Sequence, residues 1–215
     1  MQQLEEVSVF AYRFESLGGF VHYAENSEET VSVVNSLIRR HDKGKACCGP
    51  VRISNGGGSN PSALRLPEAD VSPRILCDVA FQDASDDLQR LKEIDIGVTK
   101  ADYAVAQTGC LVEVSFSDTN HLLSSASRVH IVVLEATKIL RNLQDLAPIL
   151  RRLFSSSGEP KPRITLISGP SRTSDIEMKM VMGVHGPLEV HVVIVGSKSS
   201  TQIGVERVFQ KSMSH

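Results

Sequence analysis

The stretch that decides the fold is Arg163–Val195, which reads RITLISGPSRTSDIEMKMVMGVHGPLEVHVVIV. The apolar run at 164–167 ends at Ser168-Gly169-Pro170, and it predicts a strand of a parallel sheet that is covered on both faces. Gly169 tolerates the backbone angles of a tight turn, and Pro170 cannot continue a hydrogen-bonded ladder. The run at 190–195 follows Gly186-Pro187 and predicts a second buried strand.

A helix is expected between these two strands. Ser174 and Glu177 have the spacing of a capping box, and Asp175 adds negative charge where a helix dipole is positive. Apolar residues then recur at helical spacing up to Gly183, which is placed to end the helix. Residues 163–195 therefore predict one complete β-loop-α-turn-β unit.

The rest of the chain repeats this alternation of strands and helices. The predicted strands are at 20–24, 46–54 with an interruption at Gly49-Pro50, 75–81 and 129–134. The predicted helices are an amphipathic helix over 4–17, helices capped by Asn26, Ser85 and Asp145, and a helical turn capped by Thr99. The runs 103–106 and 110–116 predict a hairpin or a bulged turn. The order predicts one α/β domain over 1–196, with three layers and a mainly parallel central sheet between helices on both faces. Residues 197–215 are polar and are expected to form a frayed tail.

Composition limits the classes of partner and cofactor. The chain has 23 basic and 25 acidic residues, a net charge of −2, so neither duplex nucleic acid nor an anionic membrane is an expected partner. No apolar run approaches the roughly 20 residues that span a bilayer, and no signal peptide is recognisable, so we expect a cytoplasmic protein. The four cysteines lack the repeated spacing of an iron–sulfur site, and no metal-binding motif is present. We expect no cofactor and no metal in this chain.

The loop Gly169–Thr173 is a candidate anion pocket. It follows the carboxyl end of a predicted strand and precedes a predicted helix N-terminus, whose free N–H groups favour anions. Ser171, Arg172 and Thr173 add donors, and Arg172 has no structural role visible in the sequence. A carboxylate or phosphate would fit this arrangement. The alternative is a well-capped structural turn.

Two further residues are candidates for catalysis. His185 lies in the turn Gly183–Pro187, where it could act as general base, metal ligand or simple hydrogen-bonding residue of the turn. Glu113, in the predicted hairpin, is the carboxylate that could act as a nucleophile, although a solvated strand position is the simpler interpretation. His191 lies within a strand and is expected to be a hydrogen-bonded core residue.

The chain resembles the LUD-domain family. The resemblance rests on five segments, which are GVTKAD at 97–102, AVAQTG at 104–109, VHI at 129–131, GPSRTSDIE at 169–177 and GVHGP at 183–187. It implies a fold similar to sugar-phosphate isomerases and CoA transferases. It also implies work alongside iron–sulfur proteins that oxidise L-lactate to pyruvate. Thr108, Gly109, Asp175, Glu177 and Gly186, which lie in these segments, are further candidate ligand-binding residues.

Two positions depart from the family pattern. The family usually has A-E-T-G-T where this chain has Gln107 and Cys110. If that acid transfers a proton in the family, Gln107 cannot do so.

Three functions from different classes fit the sequence. The leading hypothesis is an accessory or ligand-binding subunit of a lactate-oxidising iron–sulfur system, with a small organic anion as ligand and a homo-oligomer as a possible form. The alternative is a stand-alone enzyme of the CoA transferase or sugar-phosphate isomerase type. A CoA transferase would use Glu113 as its nucleophile. The third is a purely structural scaffold.

Overall fold

A computed structural model of the chain describes residues 2–41, 45–48, 52–53, 62–63, 75–77, 94–116, 118–156, 158, 161–174, 180–182 and 186–196. The helices are α1 (Gln2–Ser16), α2 (Ser27–Arg40), α3 (Asp118–Ala126) and α4 (Leu143–Ser156), with a 3₁₀ helix at Ala136–Lys138. The strands are β1 (Phe20–Ala24), β2 (Lys45–Cys48), β3 (Arg52–Ile53), β4 (Ser62–Ala63), β5 (Ile75–Cys77), β6 (Ile94–Lys100), β7 (Tyr103–Val105), β8 (Cys110–Ser115), β9 (Val129–Glu135), β10 (Ile139–Leu140), β11 (Arg163–Ile167), β12 (Arg172–Ser174), β13 (Met180–Met182) and β14 (Glu189–Val195).

Within the described residues, the central sheet has six parallel strands in the order β1-β14-β9-β6-β2-β5. Every residue of β9 is buried, as is every residue of β14 after Glu189. Such nearly continuous apolar strands are typical of parallel sheets that are covered on both faces. The predicted α/β class with a mainly parallel sheet is confirmed.

Each face of this sheet has its own core. On one face, Val34, Leu37 and Ile38 of α2 pack against the central strands. Asn26 caps α2 as predicted, because its Oδ1 accepts a hydrogen bond from the Glu29 N–H at 2.9 Å. On the other face, Phe10 and Phe14 of α1 are fully buried, with ring centroids 5.6 Å apart. Truncating a buried phenylalanine to alanine typically costs about 3–5 kcal/mol, so α1 is integral to the core.

A second sheet lies on the α1 side, with the order β10-β7-β8-β11. The predicted hairpin of 103–106 with 110–116 is confirmed, since β7 and β8 pair antiparallel. The prediction for 164–167 is wrong, because β11 pairs antiparallel with β8 and is an edge strand with Leu166 54% exposed. A short apolar run fits an edge strand as well as a central one, and periodicity alone does not separate them.

The predicted helix from Ser174 is also wrong. The structure has an antiparallel pair there, with Thr173 opposite Val181 and Ser174 opposite Met180. Because Ser174 lies in a strand, it does not cap a helix, and strand pairing of β-branched residues has prevailed over the local capping signal. The connecting residues 175–179 lie outside the described part of the chain.

Two further capping predictions, those for Thr99 and Asp145, are also wrong. Thr99 lies within β6, and the Asp102 carboxylate accepts a hydrogen bond from the Val114 N–H at 2.7 Å, so no helical turn begins there. Helix α4 begins after Asn142, whose Oδ1 accepts from the Asp145 N–H at 3.2 Å, and Asp145 is therefore the third helical residue and not the cap.

Other predicted elements lie where the structure describes little. The strand at 75–81 is described only as β5, and the helix capped by Ser85 and the tail at 197–215 lie outside the described residues. Among the helices that are described, none combines the length and the apolar character needed to cross a membrane.

Candidate functional site

Two of the candidate glycines hold turns against the end of α1. Gly109 has φ +65°, and a Cβ there would lie 2.8 Å from the Arg13 backbone carbon. Gly169 has φ +84°, and a Cβ there would lie 2.8 Å from the Leu17 carbonyl oxygen. Both positions therefore require glycine for backbone conformation and for close approach. The A-Q-T-G and G-P-S-R segments share α1 as their support.

The structure also brings two distant motifs together. The Ser171 N–H donates a hydrogen bond to the Pro187 carbonyl at 2.8 Å, and a Cβ added at Gly186 would lie 3.0 Å from the Ser171 Cβ. Cys110 connects this region to the β7–β8 turn, because its buried thiol lies beside Ser168 and burial raises the thiol pKa. Gly169, Ser171 and Gly186 thus belong to one neighbourhood.

Other sequence candidates are only partly placed. The backbone of Arg172 and Thr173 lies in β12, while Asp175, Glu177 and His185 lie outside the described residues. Because Ser174 lies in a strand, the helix N-terminus that was expected to follow Gly169–Thr173 does not begin at Ser174. An anion there would depend on turn N–H groups and on side chains.

A cleft of about 400 Å³ opens beside the β7–β8 turn, between α1 and the start of α4. Its polar lining includes Arg13, Arg141 and Gln107 together with Glu5 and Glu6. The Gln107 N–H donates to the Arg141 carbonyl at 3.0 Å, which fixes the turn next to the arginine. The departure at Gln107 therefore lies in a cleft that two arginines line.

Sequence reasoning missed the two arginines of this cleft. Arg13 lies on the first helix, and Arg141 lies between the second sheet and α4, so their spacing in the chain gives no signal. The available signal was Gln107 itself, because the position marked a departure in a recognised motif. Thr108 is exposed next to it, with its hydroxyl 3.4 Å from the Val105 carbonyl.

Glu113 is buried at 2% exposure and belongs to a polar triad between the two sheets. The Thr99 hydroxyl donates to its Oε1, and the Thr99 oxygen lies 2.7 Å from His130 Nε2. Burial raises the pKa of Glu113 to about 7, although the hydroxyls of Thr99 and Ser124 act in the opposite direction. Burial also lowers the pKa of His130 to about 3, so its imidazole is neutral near pH 7.

The triad corrects the simple interpretation of Glu113. A solvated strand position is wrong, because the face of β8 that carries Glu113 points between the sheets. Within the described residues, Glu113 Oε2 and His130 Nδ1 have no hydrogen-bond partner. A carboxyl enclosed in this way is suited to holding a proton and is poorly placed to attack a substrate as large as an acyl-CoA.

Three histidines, His22, His41 and His191, meet at the end of the central sheet where β14 begins. His191 is 6% exposed, and its Nδ1 lies 3.1 Å from His22 Nε2, which confirms the predicted partnered core residue. Its Nε2 lies 3.3 Å from Glu189 Oε2, and His41 Nε2 lies 3.6 Å from the same oxygen. Burial lowers the pKa of His191, and burial together with the charges of His191 and Arg40 lowers the pKa of His22 to about 4.

Known proteins similar to this chain were found at the level of family, sequence and structure. A family model described as the LUD domain matches residues 7–195. "Lactate utilization protein C" of Halalkalibacterium halodurans is 33% identical over 109 residues, which are 50% of this chain and 47% of that protein. "Uncharacterized protein YkgG" of Escherichia coli is 31% identical over 137 residues, 61% of this chain and 59% of that one.

The chain spans about half the length of the curated relatives it matches. A crystal structure of a DUF162 family protein from Deinococcus radiodurans has the same fold, with a TM-score of 0.56 and 18% identity over 91% of this chain and 99% of that one. The family match runs from within α1 to the end of β14 and covers both large sheets. This chain belongs to the LUD-domain family.

Proposed function

We propose that this chain is an accessory or ligand-binding subunit of an iron–sulfur system that oxidises L-lactate to pyruvate. Relatives named lactate utilization protein C support the assignment to lactate utilisation. Oxidation of lactate to pyruvate releases two electrons and two protons, and the electrons pass to iron–sulfur clusters. The clusters would belong to partner subunits, because the cysteines of this chain lack the repeated spacing of a cluster site.

The observation that carries a ligand-binding role is the cleft that contains Arg13, Arg141 and Gln107. A guanidinium group pairs a carboxylate through two parallel hydrogen bonds, which suits a 2-hydroxy or 2-oxo acid. The Gln107 amide can donate to the neighbouring hydroxyl or keto oxygen. Its volume of about 400 Å³ is within the usual range of small-molecule sites.

The charge of the cleft is balanced, because Glu5 and Glu6 line it with the two arginines. Long-range attraction therefore contributes little, and selectivity depends on direct pairing at short range. Such a cleft favours a small monoanion over a highly charged phosphate ester. We therefore propose that the anion binds in the cleft beside Gln107 and not at the predicted helix start.

Ligand-induced thermal stabilisation tests the cleft. The Tm of the wild-type chain and of Arg141→Ala is measured with and without L-lactate, pyruvate or sulfate. At a ligand concentration of 100 Kd, binding stabilises a protein by about 2.7 kcal/mol, which raises the Tm of a chain of this size by about 5–10 °C. Arg141→Ala is expected to lose between about half and nine-tenths of this shift, since a charge-assisted pair contributes about 1.5–3 kcal/mol.

The matched control is Arg151→Ala, because Arg151 is an exposed arginine of α4 that does not line the cleft. It should respond to the organic anions as the wild type does. An equal response of Arg141→Ala and Arg151→Ala would contradict ligand binding in this cleft.

A separate experiment tests the role as a subunit. The tagged chain is purified gently and without oxygen from its own host, and the eluate is assayed for iron, sulfide and lactate-dependent dye reduction. Recovery of iron–sulfur proteins with activity is expected. A colourless, solitary protein from lactate-grown cells would contradict the subunit proposal and would leave the cleft to be judged by its own test.

A further inference from the structure

The end of the central sheet where β14 begins carries a cluster of potential metal ligands that the proposed function does not use. His41, which ends α2, lies above Glu189 and His191 of β14. Glu189 and His191 point to the same face of the sheet, because residues two apart on a strand do so. Their face is the one that α2 covers, and for this reason His41 reaches them.

We propose that His41, Glu189 and His191 form a binding site for a divalent transition-metal ion of the Zn²⁺ type. Zn²⁺ binds imidazole nitrogen at about 2.0–2.1 Å and carboxylate oxygen at about 2.0–2.2 Å, so neighbouring ligand atoms of a tetrahedral site lie about 3.3–3.5 Å apart. Glu189 Oε2 lies 3.3 Å from His191 Nε2 and 3.6 Å from His41 Nε2. The three ligand atoms all lie within 4.8 Å of one another.

His22 supplies the supporting contact that such a site needs. A histidine that binds metal through Nε2 keeps its proton on Nδ1 and donates it to a second group, which fixes the ring. His191 Nδ1 lies 3.1 Å from His22 Nε2, and the neutral His22 imidazole can accept that proton. Phe20 also stacks on the His191 ring, with centroids 4.7 Å apart, and so restricts its rotation.

The donor set and its surroundings select the class of metal. Imidazole suits Zn²⁺ and neighbouring transition metals, whereas Mg²⁺ and Ca²⁺ prefer sites made of oxygen. Arg40 is close enough to lower the pKa values of His22 and His191, so the local charge does not favour a weakly coordinated cation. A metal ion held here depends on the directional imidazole ligands.

The site has an open side. The side chains of Glu189 and His41 are 42% and 27% exposed, while that of His191 is 7% exposed. Three protein ligands with solvent on one side leave a fourth position for water, an arrangement that is typical of catalytic zinc sites. No metal motif predicted the site, because its ligands come from distant parts of the chain. The nearest signal in the sequence was that Glu189 and His191 lie two residues apart at the start of one strand.

Equilibrium dialysis of the full chain against Zn²⁺, followed by metal analysis, tests the proposal. Wild type is compared with His41→Ala and with Glu189→Gln, and His121→Ala on α3 is the control histidine. We expect wild type and His121→Ala to bind one more equivalent of Zn²⁺ than either of the two ligand variants. His22→Ala should keep the stoichiometry and bind about 10–100-fold more weakly, as other changes to supporting residues do.

The visible absorption spectrum of the protein with Co²⁺ in place of Zn²⁺ is a second measurement that does not depend on stoichiometry. A four-coordinate site produces intense visible absorption, which His41→Ala should abolish and excess Mg²⁺ should leave unchanged. Equal Zn²⁺ binding by wild type, His41→Ala and Glu189→Gln would overturn the proposal, as would the weak spectrum of hydrated Co²⁺ in the wild type. If His41→Ala fails to fold, Glu189→Gln decides the result, because that carboxylate is at the surface.

Discussion

Replacing Glu113 by glutamine is expected to stabilise the protein above pH 7 and to have little effect at pH 4.5 and below. The carboxyl pKa is raised by burial from 4.5 to about 7. Between these values the folded chain keeps a proton that the unfolded chain has lost, so the free energy of unfolding falls as pH rises. The contribution of Glu113 is fully present below its unfolded pKa and is lost as pH rises through about 7.

The magnitude follows from the size of the shift. Each pKa unit corresponds to 1.36 kcal/mol, so ionising Glu113 inside the fold costs about 3 kcal/mol above pH 7. Glutamine keeps the acceptor for the Thr99 hydroxyl and removes the titrating proton. For a chain of this size, about 3 kcal/mol corresponds to a Tm difference of about 6–12 °C.

Urea unfolding of wild type and Glu113→Gln from pH 4.5 to pH 8.5 measures this difference directly. The contribution of His22, whose pKa is lowered by burial, cancels in this comparison, because His22 lies outside the Glu113 triad and titrates in both proteins. A difference between the two proteins that is constant across the pH range would refute the reasoning. So would a variant that is less stable than wild type at pH 8.

Three further predictions concern the backbone, a cap and the anion site. Gly109→Ala should lower the free energy of unfolding by about 1–3 kcal/mol, because Gly109 has a positive φ and an added Cβ would contact Arg13. Gly158→Ala is the control and should not lower it, because an added Cβ there meets nothing within 4 Å. Urea unfolding of the two variants measures the difference. Asn26→Ala should cost about 1 kcal/mol by loss of the α2 cap, and a Tm equal to that of wild type would count against that cap. Arg172→Ala should reduce the thermal response to organic anions if the Gly169–Thr173 loop also contacts the ligand. An unchanged response would restrict binding to the cleft beside Gln107.

Two strands of the central sheet, β9 and β14, were predictable because their information is local, whereas β6 was missed, since a helical turn was expected at Thr99. Residues 129–134 and 190–195 are nearly all apolar, and a strand buried on both faces needs little else to be recognised. The cap at Asn26 was predictable for the same reason, since Oδ1 and its partner N–H are three residues apart.

The errors occur where distant parts of the chain decide the structure. Ser174 and Glu177 satisfy the spacing of a capping box, but the pairing of Ser174 with Met180 places the backbone in a strand. For Glu113, strand alternation gives two faces without showing which one a second sheet covers. The sequence therefore identified the residue as chemically interesting and missed its burial and its contacts with Thr99 and His130.

The order of strands in the central sheet has a consequence for synthesis on the ribosome. β14 lies between β1 and β9, and the contacting residues His22 and His191 are 169 positions apart. The hydrogen-bonding edge of β1 therefore stays unpaired until nearly the whole domain has emerged, and contacts of such long range slow folding. During that interval the apolar face of α1 and an open strand edge are available to other nascent chains. A chain released before β14 is complete would expose both, and protection by a chaperone would matter most in this period.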